Sequence, residues 1–217
     1  MQIHPSAEYV LRQLNMRGYE AYVVGGCVRD LLRGVTPHDW DITTNALPEE
    51  MQAVFADDRL VPTGLQHGTV TVVVDDQPIE VTTYRVDGDY SDHRHPDRVV
   101  FSPSLREDQA RRDFTINAMA YHPETGLVDP FLGQKDLTDG VIRCVGDPLR
   151  RFDEDALRIM RALRFASTLS FSIHPDTADA LHKMASLLNA VAVERIYHEL
   201  KRMICGGGID SLNSHRI

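Results

Sequence analysis

The stretch from Gly25 to Thr44, GGCVRDLLRGVTPHDWDITT, constrains the fold more than any other part of the sequence. Because the apolar run AYVV precedes it, the pattern predicts a strand, a glycine turn, a short helix and a second strand. Backbone N–H groups at such a turn, at the positive end of the helix dipole, suit a phosphate group. Gly26 lets the backbone approach closely, and the guanidinium group of Arg29 can bind phosphate oxygens. The turn therefore predicts a triphosphate site, although two adjacent glycines also fit a plain tight turn.

Two aspartates, Asp39 and Asp41, stand one residue apart in the second predicted strand. Side chains at this spacing share one face of a strand, and two close carboxylates repel each other unless a cation lies between them. Mg²⁺ suits such a pair, because it takes one or two carboxylates and completes its shell with substrate phosphates. Glu80, in the strand candidate PIEVTTYR, could supply a third oxygen ligand. The alternative is that the two aspartates are solvated charges on an exposed strand end.

The rest of the chain divides into two parts. An amphipathic helix is predicted over Ser6 to Arg17, and the β-branched runs TVTVVVDD and PIEVTTYR predict a hairpin. From Val86 to Glu107 the chain is rich in Asp, His, Arg and Pro, which predicts a long loop. From about Leu149 onward the apolar spacing is helical. The pattern therefore predicts an α+β first part to about residue 146 and an all-helical second part.

Charge and composition narrow the classes of function. The net charge of −9 argues against a protein that coats nucleic acid by bulk electrostatics, but it leaves RNA open as a substrate. No apolar run approaches the ~20 residues that cross a bilayer, and the N-terminus has no signal-peptide pattern. We therefore expect no membrane partner and a cytoplasmic location. Within this acidic chain five arginines cluster over a short stretch: Arg150, Arg151, Arg158, Arg161 and Arg164.

The stretch from Gly25 to Thr44 resembles the first signature of the class II tRNA nucleotidyltransferase and bacterial poly(A) polymerase family. The resemblance continues in order through TGLQHGTVTVVV, IEVTTYR, RRDFTINAMAYHP, DPFLGQKDL, RCVGDPLRRFDEDALRIMRALRFA and VERIYHELKRMI, over about residues 20 to 204. It implies an α+β fold with a nucleotidyltransferase-type (polymerase-β-like) mixed sheet, followed by an all-α neck. We expect a catalytic head domain over residues 1–146, a nucleotide-selecting neck over 147–205 and a disordered tail over 206–217.

The resemblance also implies roles for individual residues. It implies that Asp39, Asp41 and Glu80 are catalytic and that Asp39 and Asp41 bind Mg²⁺. The residues that it implies bind nucleotide are Gly25, Gly26, Arg29, Arg112, Asp113, Asn117, Asp155, Arg158, Arg161 and Arg164. For the adjacent Arg112 and Asp113, a surface ion pair is the alternative interpretation.

Asp155 and Arg158 stand three residues apart, which predicts that they share one helix face. Cytosine and adenine each present an amino donor beside a ring-nitrogen acceptor, and guanine and uracil present the inverse pattern. Asp155 could accept from the amino group while Arg158 donates to the ring nitrogen, with Glu154 holding Arg158 in place. The alternative is a salt bridge on a solvated helix face.

The family resemblance implies that the chain adds C and A to the 3′ end of tRNA from CTP and ATP, with release of pyrophosphate. The segment RVDGDYSDHRHPDRVVF resembles the flexible loop with which family members switch from C to A, which favours CCA or A addition. A poly(A) polymerase, an A-adding enzyme and a non-catalytic nucleotide-binding module are the alternatives. In the family, helical body and tail domains that bind the tRNA follow the neck. We expect these to be missing from this chain or supplied by another chain.

Overall fold

The computed structural model describes residues 1–88 and 99–206, and in these ranges the chain forms two compact units. The sheet unit comprises Met1–Asp87, Val99–Arg112 and Asn117–Phe131. The helical unit comprises, among the described residues, Gly88, Asp113–Ile116 and residues 132–206. The packing thus changes at residue 131, and the functional boundary expected at residue 146 stays a prediction.

The sheet unit is built on a seven-stranded mixed sheet with the strand order β3-β4-β5-β2-β1-β8-β9. Its strands are β1 (Ala21–Val24), β2 (Trp40–Thr44), β3 (Arg59–Gly64), β4 (Thr69–Val74), β5 (Gln77–Thr83), β8 (Ala120–His122) and β9 (Gly126–Val128). A separate two-stranded ribbon pairs β6 (Arg85–Asp87) with β7 (Val99–Phe101). The β2 and β5 strands are parallel, and the other pairs of the large sheet are antiparallel.

Four helices belong to the sheet unit: α1 (Pro5–Met16), α2 (Gly26–Leu32), α3 (Pro48–Val54) and α4 (Leu105–Ala110). The predicted first helix is confirmed, and its apolar residues Ala7, Val10, Leu11 and Leu14 are all buried. The predicted β4–β5 hairpin is confirmed as well. Its turn residues Asp75 and Asp76 have φ values of 50° and 60°, the left-handed conformation that a tight hairpin turn requires.

The loop predicted from Val86 to Glu107 is wrong at both ends. Val86 pairs with Val100 in the β6–β7 ribbon, and α4 begins at Leu105, where the side chain of Ser104 accepts a hydrogen bond from the N–H of Glu107. Strands of three residues are too short to show alternation, so only the non-local pairing reveals them. Most of the segment RVDGDYSDHRHPDRVVF, with its expected role in switching from C to A, lies outside the described residues.

The helical unit contains α5 (Gly133–Asp139), α6 (Pro148–Glu154), α7 (Leu157–Leu169), α8 (Pro175–Met184) and α9 (Val193–Cys205). A small parallel ribbon joins β10 (Val141–Ile142) and β11 (Ser172–Ile173). The core gathers Phe114, Phe152 and Phe165, and the rings of Phe114 and Phe165 meet edge to face at 5.9 Å. In the described ranges, no helix is both long and apolar enough to span a bilayer. Residues 207–217 of the expected disordered tail lie outside the described part.

Candidate active site

The turn between β1 and α2 has a backbone conformation that strongly favours glycine at position 25. Gly25 has φ 79° and ψ −136°, a conformation that side chains disfavour. A Cβ atom there would lie 3.2 Å from Nη1 of Arg112 and 3.6 Å from Oδ2 of Asp41. The turn therefore brings together three predicted site residues, Gly25, Asp41 and Arg112, that are far apart in the sequence.

The carboxylates converge at the same end of the sheet. Asp41, in β2, pairs with Val24 of β1 on one side and with Glu80 of β5 on the other. Asp39 lies just before β2 and is exposed, as is Glu80. The predicted neighbourhood of Asp41 and Glu80 is thus confirmed by the strand register.

Asp41 is a partly buried carboxylate with like charges nearby. Burial raises the pKa of Asp41 to about 6, with further contributions from Glu80 and Asp39, while Arg112 opposes the shift. Within the described ranges, no salt bridge within 4.0 Å neutralises Asp39, Asp41 or Glu80, and no three His, Cys, Asp or Glu side chains form a metal-binding group. A pair of hard oxygen ligands with uncompensated charge fits a divalent cation such as Mg²⁺.

Arg29 is fixed by two neighbours on the sheet unit. Its Nε and Nη2 donate to the two carboxylate oxygens of Asp30 at 3.0 and 3.1 Å, and its Nη1 donates to Oδ1 of Asn117 at 2.8 Å. Asn117 ends the short 3₁₀ turn Thr115–Asn117, so a residue far along the chain orients the arginine beside the glycine turn. Sequence reasoning missed Asp30, although its position next to Arg29 was a usable signal.

Arg112 is held by a buried carboxylate that the sequence analysis did not identify. Asp108, in α4, is fully buried and lies 3.3 Å from Nη2 of Arg112 and 2.8 Å from Nη2 of Arg111. It also accepts a hydrogen bond from Oγ1 of Thr43 at 3.1 Å. Burial alone would raise the pKa of Asp108, but the two arginines and Thr43 outweigh it and hold that pKa below its usual value. The spacing of 108, 111 and 112 along one helix face was the available signal.

Asp113 pairs with an arginine of α7. It accepts from Nε and Nη2 of Arg161 at 2.8 and 2.5 Å, and this contact raises the pKa of Arg161. The side chains of the adjacent Arg112 and Asp113 thus take different partners, so the ion pair between them offered as the alternative is not the arrangement found. The nucleotide-binding role implied for Asp113 stays a prediction.

The shared helix face predicted for Asp155 and Arg158 is wrong. Asp155 is extended, with φ −141° and ψ 103°, and it separates α6 from α7. Its carboxylate accepts a hydrogen bond from the N–H of Leu157 at 3.1 Å, a local bond that competes with a continuous helix. The same carboxylate lies 3.2 Å from Nη2 of Arg195.

Arg158 has partners of its own. Its Nη1 donates to Oε2 of Glu154 at 2.7 Å and to the carbonyl oxygen of Arg151 at 3.0 Å. The expected contact between Glu154 and Arg158 is therefore confirmed. Both side chains are nearly buried, with 12% and 11% of the side-chain surface exposed, so this is not a solvated salt bridge.

The last helix supplies ionic partners to residues of this group. From α9, Glu199 accepts from Nε of Arg164 at 2.5 Å, and Arg195 contacts Asp155. The guanidinium of Arg164 also lies 3.9 Å from the ring centroid of Phe165. Sequence analysis missed Arg195 and Glu199 because their partners are more than thirty residues away in the chain.

The mixed sheet, with a glycine turn opening a helix, Asp41 on the neighbouring strand and Asp39 just before that strand, defines a nucleotidyltransferase head domain. The chain belongs to the poly A polymerase head domain family, which matches residues 21–143. A second family, the probable RNA and SrmB-binding site of polymerase A, matches residues 170–211.

Individual relatives agree with this assignment. The chain is 50% identical over 197 residues to the CCA-adding enzymes of Geobacillus thermodenitrificans and Enterococcus faecalis, which covers 91% of this chain and 48% of each relative. The crystal structure of the Bacillus stearothermophilus CCA-adding enzyme in complex with CTP matches with a TM-score of 0.85 and 42% identity, over 93% of this chain and 49% of that one. The Thermotoga maritima CCA-adding enzyme complexed with tRNA-CCA matches with a TM-score of 0.76 and 27% identity, over 93% and 48%. The chain thus spans about half the length of the relatives it matches.

Proposed function

We propose that this chain is the catalytic part of a CCA-adding tRNA nucleotidyltransferase, which adds C and A to the tRNA 3′ end from CTP and ATP. The observation that carries the proposal is the group of carboxylates around Asp41, which are in no described salt bridge and lie directly beside the Gly25 turn and Arg112. The names of relatives that match 91% of the chain support the choice of substrate.

In this proposal Asp39 and Asp41 hold a divalent cation, and Glu80 lies beside them. Enzymes of this family generally need a divalent metal ion, and we propose Mg²⁺ because the donor set consists of carboxylate oxygens. When bound, Mg²⁺ would polarise the phosphate and lower the pKa of the attacking 3′-hydroxyl group. Burial, together with the neighbouring charges of Glu80 and Asp39, raises the pKa of Asp41, and a bound cation would offset both effects.

The side chains around the glycine turn would receive the triphosphate. Gly25 and Gly26 leave room for phosphate oxygens close to the backbone, and Arg112 lies against this turn. Arg29 reaches the turn with its orientation fixed by Asp30 and Asn117. Positive charge placed in advance stabilises the pyrophosphate as it leaves and requires little rearrangement at that moment.

The helical unit would select the base. We propose that Asp155 accepts a hydrogen bond from the amino group of cytosine or adenine and that Arg158 donates to the ring nitrogen. Each is oriented by a different neighbour, Asp155 by Arg195 and Arg158 by Glu154. Arg161 and Arg164, with Asp113, would contribute further nucleotide contacts. In functional terms this assigns residues 1–146 to the head and 147–205 to the neck.

The other proposals concern partners and location. The tRNA 3′ end is the proposed RNA substrate, and about half of each relative's length is not matched by this chain. We propose that RNA-binding domains equivalent to that half act together with this chain, and that it works in the cytoplasm. A poly(A) polymerase is the second candidate, because both matching families take their names from polymerase A.

Incubation with tRNA lacking its CCA end, Mg²⁺ and each labelled nucleotide tests the proposal. High tRNA concentrations would compensate for a low affinity of this chain for tRNA. Addition of C followed by A supports CCA addition, and long A tails would instead select the poly(A) polymerase. A folded chain that binds CTP but incorporates no nucleotide at any RNA concentration would overturn the catalytic proposal.

A further inference from the structure

Arg112 and Asp41 carry opposite charges beside the same turn, yet they are not paired with each other. Nη1 of Arg112 and Oδ2 of Asp41 lie 3.2 and 3.6 Å from one point, the position of a Cβ atom at Gly25. A change of rotamer in the Arg112 side chain would be enough to bring the two groups into contact. Among the residues that the structure describes, however, the carboxylate within 4.0 Å of the Arg112 guanidinium is that of Asp108. The separation of Arg112 from Asp41 therefore needs a cause.

Asp108 is anchored on the strand that carries Asp41. Its side chain is fully buried and accepts a hydrogen bond from Oγ1 of Thr43 at 3.1 Å. Thr43 stands two residues after Asp41 in β2, so the two side chains point to the same face of the sheet. Asp108 therefore offers Arg112 a counter-charge that is close to Asp41 but lies beside the next side chain on that face.

We propose that Asp108 is a positioning residue that holds Arg112 away from Asp41. Without this partner, Arg112 would pair with Asp41, because a partly buried arginine and an unpaired carboxylate both gain from the contact. Such a pair would neutralise the carboxylate that the proposed cation needs, and it would withdraw the arginine from the phosphates. By giving Arg112 another partner, Asp108 keeps both groups available. This inference rests on the proposed function, because it concerns the same cation and triphosphate sites.

The contact distances indicate that Arg112 is held less tightly than its neighbour. Oδ1 of Asp108 lies 2.9 Å from Nε and 2.8 Å from Nη2 of Arg111, whereas Oδ2 lies 3.3 Å from Nη2 of Arg112. Nε of Arg112 is buried and has no hydrogen-bond partner in the described part of the chain. A buried N–H group without a partner is unfavourable, so Arg112 has something to gain from a second carboxylate. Removal of the charge on Asp108 should therefore be enough to release Arg112 to Asp41.

Calorimetric titration of CTP with and without Mg²⁺ tests the proposal, because a cation should strengthen CTP binding only where Asp41 is unpaired. The wild-type chain should gain about tenfold or more in affinity from Mg²⁺. Asp108→Asn should reduce this gain to about twofold or less, since Arg112 then neutralises Asp41. The gain is a ratio of two dissociation constants of the same protein, and circular dichroism confirms that each variant is folded.

Two double variants separate positioning from a general structural role, and they keep the test valid if Asp108→Asn alone does not fold. Each removes one of the two arginines that Asp108 pairs, so both have the same net charge as the wild type. Asp108→Asn, Arg111→Gln leaves Arg112 free to reach Asp41 and should lose the gain. Asp108→Asn, Arg112→Gln removes the competing arginine and should keep the gain, although its affinity for CTP is lower with and without Mg²⁺.

Asp136→Asn is the matched control. Asp136 is also a buried aspartate that accepts a hydrogen bond from a threonine, Thr115, and pairs with an arginine, Arg143. It belongs to the helical unit, so its loss should leave the Mg²⁺-dependent gain at the wild-type value.

Three outcomes would overturn the proposal, and each has a different meaning. A wild-type chain that gains nothing from Mg²⁺ would remove the proposed cation site, and the role of Asp108 with it. An undiminished gain in Asp108→Asn, Arg111→Gln would exclude the positioning role alone and leave the proposed function intact. An equal loss in the two double variants would show that Asp108 supports the fold of the site and does not act through Arg112.

Discussion

The carboxylates around Asp41 in the sheet unit and the arginines of the helical unit differ in whether a salt bridge neutralises them. Around Asp41 the sheet unit gathers carboxylates that no described salt bridge neutralises, and the pKa of Asp41 rises to about 6. The helical unit instead pairs its arginines with carboxylates at close range, as in Arg161 with Asp113 and Arg164 with Glu199. In the function proposed above a cation would complete the first arrangement, whereas Arg161 and Arg164 already have carboxylate partners.

This difference suggests two separate tasks. A cluster of like charges is unfavourable in a folded protein and is retained where function needs it. Balanced pairs fix the direction of donors and acceptors, which is what recognition of a base edge requires. We therefore propose that the sheet unit provides the carboxylates that bind a cation, and that the helical unit provides oriented donors and acceptors for the base.

The largest expected effect follows from removing a carboxylate of the sheet unit. Asp41→Asn should reduce nucleotide transfer by about a thousandfold or more, because metal ligation contributes several kcal/mol to the transition state. Its thermal stability should not fall, since the substitution removes repulsion from Glu80 and Asp39. Single-turnover kinetics and thermal unfolding measure the two effects. Near-normal turnover in the folded variant would show that Asp41 does not bind a metal ion that nucleotide transfer requires.

The next effect concerns the buried Asp108 of the sheet unit, which is paired like the carboxylates of the helical unit. Asp108→Asn should lower the free energy of unfolding by about 3 kcal/mol, because it leaves Arg111 and Arg112 without a buried counter-charge. Asp139→Asn, which removes only an exposed ion pair with Lys135, is the control and should change stability little. Urea unfolding measures both.

The same carboxyl gives a pH dependence with a defined sign. The folded-state pKa of Asp108 is lowered, so its contribution is fully present above its unfolded-state pKa of about 3.9 and is lost as pH falls below that value. Wild-type stability should therefore fall more steeply than that of Asp108→Asn below about pH 4. Parallel curves for the two proteins would show that Asp108 is not held by the arginines.

A smaller effect is expected at the glycine turn. Gly25→Ala should cost about 1–3 kcal/mol of stability and weaken CTP binding, because it strains the backbone and crowds Arg112. Gly34→Ala is the matched control, since Gly34 also has a positive φ but meets no atom within 4 Å. Equal losses of CTP affinity in the two variants would mean that the approach of Arg112 to the turn has no role in binding.

The smallest expected effect is on nucleotide preference and concerns Asp155 of the helical unit. Asp155→Asn replaces an acceptor by a group that can also donate, so the preference for CTP over UTP should fall about tenfold. Arg195→Gln, which removes the partner of Asp155 but keeps its carboxylate, should reduce both rates together. Relative kcat/KM values for CTP and UTP on one primer measure this preference. An unchanged ratio in Asp155→Asn would limit Asp155 to capping α7 and pairing with Arg195.

The features that depend on residues close together in the chain could be predicted from the sequence. The glycine turn and the Asp75–Asp76 hairpin depend on neighbouring residues, and both were predicted correctly, whereas the strand that was expected to carry Asp39 and Asp41 begins only at Trp40 and leaves Asp39 outside it. The break at Asp155 was not predicted, because the residues around it have helical spacing and only the capping bond to Leu157 interrupts them. The partners Arg195 and Glu199 could not be predicted, since tertiary packing alone brings α9 to α7.

The most direct test of the central claim is calorimetric titration of CTP with and without Mg²⁺. We predict that Mg²⁺ strengthens CTP binding to the wild type about tenfold or more, because it neutralises the carboxylates around Asp41. Asp41→Asn should lose this gain, while Asp155→Asn, in the unit with balanced charges, should keep it. A Mg²⁺-dependent gain of equal size in Asp41→Asn and the wild type would contradict the account.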